Sequence, residues 1–114
     1  MKRLAIRLAA LLALPVAVAL FSCSVARAQD SATLYKTKCA MCHAPDGSGN
    51  TAMGKQLKVA DLGSVDVQKE SDADLINDIT NGKGGGKMPA YKGKITDDQI
   101  KGLVAYIRGL AKKH

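Results

Sequence analysis

Apolar positions recur at helical spacing after residue 30, and no stretch alternates long enough to make a strand. Asp30 is placed to cap a first helix, on which Leu34 and Tyr35 share a side with the turn from Cys39 to His43. Pro45-Asp46-Gly47-Ser48-Gly49-Asn50 is a turn cluster that stops this helix. Residues 51 to 70 are ambiguous and read as a short helix through Met53 and Leu57 followed by loop. Ser71-Asp72-Ala73-Asp74 resembles a capping box; Leu75, Ile76 and Ile79 then give one apolar face before Asn81-Gly82 ends the helix. Three consecutive glycines exclude regular structure between Lys83 and Lys87. Thr96-Asp97-Asp98-Gln99 is a capping box for a final helix, with Ile100, Leu103, Val104, Ile107 and Ala111 in one stripe and Tyr106 and Leu110 at its border. The expected fold class is all-α.

The segment before these helices differs in kind. Residues 1 to 28 contain Lys2, Arg3, Arg7 and Arg27 but no acid. Leu8 to Phe21 is an apolar run of 14 residues, short of the roughly 20 that a membrane span needs. With Ala26-Arg27-Ala28 as a small-x-small cleavage site, the segment reads as an export signal. The expected division is a removed signal over 1–28 and a folded domain over 29–114, delivered to the periplasm. Cleavage lowers the net charge from +7 to +3. The remaining chain has three tyrosines, no Phe and no Trp, and lacks the basic, aromatic surface of a nucleic-acid binder. Only 32 of its 86 residues are hydrophobic, so a cofactor or cross-link is expected to complete its interior.

Two cysteines follow the signal, and their spacing names the cofactor. Cys39-Ala40-Met41-Cys42-His43 is the attachment signature of c-type haem. Two thiols one helical turn apart add across the two vinyl groups, and the adjacent imidazole reaches the iron. A thioredoxin-like dithiol would follow an apolar strand, and none precedes Cys39. A zinc site needs about four ligands, whereas the histidines are His43 and the terminal His114. Gly84-Gly85-Gly86-Lys87 lacks the spacing of a phosphate loop and has no strand leading into it.

The arrangement resembles the class I cytochromes c, especially the short bacterial and cytochrome c6-like forms, over essentially all of residues 30 to 112. The resemblance is carried by Tyr35 four residues before Cys39, by the haem motif, by Met88-Pro89-Ala90-Tyr91, and by Leu103-Val104-Ala105-Tyr106-Ile107. It implies three to four helices packed around one covalently bound haem c, with the first and last crossing near Tyr35 and Tyr106. Two departures stand out. The family's crossing usually has a glycine on the first helix, where this chain has Ser31 and Ala32. Many members also orient the histidine with a proline carbonyl, and Val59-Ala60-Asp61-Leu62 contains no proline.

The iron ligands are expected to be His43 and Met88. Met41 lies inside the attachment motif, and Met53 comes only ten residues after His43. Pro89 disfavours helix at Met88, and the glycines at 84 to 86 let the backbone pass close to the macrocycle. Residues 61 to 82 hold six acids and one lysine, whereas residues 83 to 94 hold Lys83, Lys87, Lys92 and Lys94 without an acid. These lysines either solvate a face or steer redox partners with acidic docking faces. The expectation is a soluble carrier of single electrons that transforms no substrate. Two other classes remain: an open-site haem protein binding peroxide or a gas, and a subunit tethered to a membrane complex through a lipid on Cys23.

Overall fold

Six helical segments run through residues 27–112, the part of the chain described in the computed structural model. The expected export signal lies outside the described residues except at Arg27 and Ala28, and Cys23 lies outside them altogether. Helix α1 covers residues 27–38. It is followed by α2 (Ala40–His43), α3 (Ala52–Leu57), α4 (Val65–Lys69), α5 (Asp72–Asn81) and α6 (Asp97–Gly109). No strand occurs among the described residues, only isolated bridges at Lys83 with Met88 and Lys92 with Ile95. The all-α expectation holds.

Local chemistry explains most of the boundaries. Ser71 and Asp74 form a reciprocal capping box at α5, and Thr96 and Gln99 form another at α6. Thr51 and Ser64 cap the shorter helices α3 and α4. Two expectations need correction here. Residue 30 is already helical, so Asp30 is inside a helical stretch and not at its N-cap. The segment after Leu57 is not all loop, because Ser64 starts α4; at five residues, that helix is too short to show a period.

The longer helices meet where one of them has no side chain. A Cβ placed on Gly102 of α6 would stand 2.4 Å from Ser31 Oγ of α1. The small residue at this crossing therefore lies on the last helix, and Ser31 can occupy the first. One turn further along each helix, the rings of Tyr35 and Tyr106 pack with centroids 4.6 Å apart. Tyr35, Ile100 and Leu103 are the largest fully buried side chains, joined by Leu75 and Ile79 from α5 and by Val104 and Ile107. The predicted α6 stripe is correct through Ile107, but Ala111 is exposed because α6 ends at Gly109 and the chain turns away through Leu110. Arg108 fastens the α4–α5 junction to α6, donating to the Gln68 and Glu70 carbonyls and to Asp72.

Gly102→Val should test the crossing. A branched side chain there must displace Ser31 and push the helices apart, at a cost of about 1–3 kcal/mol. Thermal or denaturant unfolding should show that loss, with Ser31→Gly restoring part of it; an unchanged midpoint would mean that the helices do not approach closely there.

Candidate cofactor site

The Cys39–His43 turn is built as a continuation of α1. The Cys39 N–H still donates to the Tyr35 carbonyl, at 2.8 Å, and the His43 N–H donates to the Cys39 carbonyl. Ala44 then takes φ 65° and ψ 160°, which sends the chain out of the helix. An L-residue pays about 1–3 kcal/mol for such a conformation. Its surroundings hold it there: the Ala44 N–H donates to Ala40, and the buried Tyr35 hydroxyl donates to the Ala44 carbonyl at 2.8 Å. Helix α3 closes on the same turn. The Thr51 hydroxyl donates to the Cys42 carbonyl, and a Cβ at Gly54 would fall 2.3 Å from both the Cys42 and Gly49 carbonyl oxygens.

A cavity of about 420 Å³ opens beside this turn, within the range of cofactor pockets. Cys39, Cys42 and His43 line it, as do Met88 and Pro89 from the opposite end of the domain sequence. Leu62, Val67, Leu75, Ile79 and Leu103 give it apolar walls. Met41 and Met53 do not line it and are 73% and 40% exposed. Met88 arrives by a sharp reversal in which Gly84, Gly85 and Gly86 all have positive φ. Their requirement is set by this backbone path as much as by any close approach, since nothing lies within 4 Å of a Cβ built at Gly85 or Gly86.

The electrostatics favour a ligand-holding role over thiol redox chemistry. Burial, and secondarily Cys42, pushes the Cys39 thiol up to about 11, whereas reactive dithiols have depressed values. Both cysteines are free of disulfides. Burial pushes the His43 pKa down, and the Ala60 backbone acts in the opposite direction. That favours a neutral imidazole, the form that binds metal. Nδ1 of His43 is buried and makes no hydrogen bond among the described residues, although the Ala60 backbone is near enough to raise its pKa. The sequence implies a backbone acceptor for His43 but does not name it, because no proline marks the 59–62 stretch; the backbone group that acts on the ring is Ala60.

Two thiols, a neutral imidazole and a thioether around one apolar cavity fit a covalently held haem. A family model described as cytochrome c oxidase, cbb3-type, subunit III matches residues 26–107. The chain belongs to this family of class I c-type cytochromes. Its cofactor is one covalently bound haem c, and electron transfer is the function that the family implies. The cytochrome is 36% identical to cytochrome c6 of Leptolyngbya boryana over 70% of its own length and 88% of that protein. It is 33% identical to the cbb3-type oxidase subunit CcoP of Azospirillum brasilense over 78% of its own length but only 30% of that longer protein. Among solved structures, the KustC0563 c-type cytochrome matches with a TM-score of 0.66 and 32% identity, over 72% of this chain and 98% of that one.

The structure rearranges the expected lysine group. Lys83 and Lys87 line the cavity together with Lys38 and Lys58, whereas Lys92 and Lys94 do not. Lys83 is also paired, with Asp78 at 2.5 Å and Glu70 at 3.7 Å, so its charge is locally offset. Lys38 and Lys58 were missed because they lie far from Met88 in sequence. Tyr91, three residues after Met88, donates its hydroxyl to the Lys38 carbonyl and so ties the Met88 segment to the end of α1.

Tyr35→Phe should cost this cytochrome about 1–3 kcal/mol, because it leaves the buried Ala44 carbonyl without its donor. Burial, the largest cause, raises the Tyr35 pKa in the fold above the ordinary 10.0, and Tyr106 and Asp46 add to it. The fold therefore keeps this proton after the unfolded chain has lost it. Its contribution is complete below pH 10 and declines as pH rises further. Denaturant titrations at stepped pH should show a shallower alkaline loss in the Tyr35→Phe variant, and equal slopes would refute the assignment.

Proposed function

We propose that this cytochrome is an exported carrier of single electrons in the periplasm, with Cys39 and Cys42 holding its haem and His43 and Met88 as axial ligands. The observation that carries the proposal is that one cavity is lined by all four residues, with Met88 the one methionine in its lining. Bound there, the haem supplies one-electron chemistry as its iron passes between the ferric and ferrous states.

The protein's part is to hold and insulate. His43 contributes a neutral nitrogen, and the Ala60 backbone helps set the ring's charge state. Met88 contributes a soft sulfur, which favours the ferrous state and raises the potential relative to a second histidine. Were His43 and Met88 both to hold the iron, no site on it would remain for peroxide or a gas. The apolar walls limit water and so limit reorganisation on electron transfer. Lys38, Lys58 and Lys87 at the cavity, with Lys92 and Lys94 beyond it, suit redox donors and acceptors with acidic faces.

The likeness to CcoP supports a second reading, in which the same domain serves a membrane oxidase. Among the described residues no helix is long and apolar enough to cross a membrane. Under that reading the tether would be a lipid on Cys23.

Two measurements test the proposal. Denaturing mass spectrometry of protein matured in a periplasm should show a chain beginning near Gln29 with one haem added. Haem lost on acid extraction would refute covalent attachment, and a lipidated Cys23 would favour the tethered reading. Ferric parent protein should show the weak near-infrared band of a methionine-ligated iron, and Met88→Ala should abolish it, lower the potential and open the ferrous form to carbon monoxide. Persistence of the band and potential in that variant would refute Met88 as the ligand, and would make Met53 the candidate only if the chain around α3 also rearranged.

A further inference from the structure

Met88 sits at the end of a loop that has little side-chain support. Gly84, Gly85 and Gly86 have φ of 67°, 65° and 94°, and glycine loses more freedom on ordering than any other residue. The downstream side of this loop is well anchored. The Tyr91 and Lys92 N–H groups cap the Ile79 and Thr80 carbonyls at the end of α5, and the Tyr91 hydroxyl bonds to Lys38.

The upstream side depends on Lys83. Its backbone is paired directly with that of Met88: the Lys83 N–H donates to the Met88 carbonyl at 3.2 Å, and the Met88 N–H donates back at 3.1 Å. Its side chain reaches Asp78 Oδ2 on α5 at 2.5 Å and Glu70 Oε2, between α4 and α5, at 3.7 Å. A cation just beyond the C-terminus of α5 also complements the partial negative charge of the helix end. Glu70, Asp78 and Lys83 all line the cavity that Met88 enters. Without the ammonium, two carboxylates would face each other across the root of a triple-glycine loop.

We propose that Lys83 is a positioning residue, clamped to Asp78 and Glu70 so that its backbone pair with Met88 holds the thioether at the iron. The proposal rests on Met88 being the distal ligand. Asp78 and Glu70 are partly buried whereas Lys83 is 58% exposed, and exposed or partly exposed pairs bias a local equilibrium by about two- to fivefold. The clamp is therefore expected to set how often Met88 leaves the iron, and not whether the protein folds.

The test uses holoprotein and three readouts: the ferric near-infrared band, the rate of carbon monoxide binding to the ferrous form, and hydrogen exchange at the Lys83 and Met88 amides. Lys83→Gln and Asp78→Asn should each speed carbon monoxide binding and exchange at those two amides by about two- to fivefold. The near-infrared band should be lost at a lower temperature than in the parent. Lys83→Arg should restore parental values, and Lys101→Gln, on the exposed face of α6, should leave them unchanged as a charge control. Unchanged carbon monoxide binding in Lys83→Gln would overturn the proposal. So would acceleration spread equally through α5 and α6, which would make the ion pair merely structural. A parent that lacks the band and binds carbon monoxide at once would instead refute Met88 ligation, an outcome read before any variant is made.

Discussion

Tyr35 joins the crossing of the first and last helices to the cysteine turn. Its ring packs against Tyr106 at the crossing of the first and last helices, and its buried hydroxyl holds the Ala44 carbonyl. Ala44 adopts a conformation that its own backbone disfavours, so the exit from the cysteine turn has to be imposed from outside. The helix crossing imposes it. The orientation of Cys39, Cys42 and His43 is thus a consequence of how α1 meets α6, and damage to that crossing would reach the cofactor site without touching any ligand.

Steric limits complete the cavity. Gly102 lets α6 reach Ser31, and Gly54 lets α3 lie against the Cys42 carbonyl. At both places a Cβ would stand too close to its neighbour, a side-chain oxygen of Ser31 at Gly102 and backbone carbonyls at Gly54. The second half of the site is held differently. The segment after Met88 caps the end of α5, whereas the segment before it is tied by charge through Lys83. The cysteine–histidine side is held by rigid packing, and the Met88 side by a polar clasp.

Sequence legibility followed the range of the interactions involved. The haem motif, the two capping boxes and the α6 stripe as far as Ile107 are local, set by residues within about one or two helical turns, and each is present where the pattern put it. Asp30 misled because a good capping residue inside a longer helical stretch looks the same as one at its start. Ala111 misled because periodicity continues on paper after the chain has left the helix. Helix α4 escaped because five residues cannot establish a period.

By itself the sequence determined the helical class and the family, and it placed two thiols and an imidazole on one turn, because spacing along a helix decides all three. The sequence also favoured Met88 over Met53, but tertiary structure alone brought Met88 into the cavity of the cysteines and His43, added Lys38 and Lys58 to Lys87 there, and paired Lys83 with Asp78 and Glu70. Those relations join residues up to about fifty positions apart, and their distances depend on how the helices pack. No local pattern encodes that packing, because it follows from the shapes of side chains that meet only once the chain has folded.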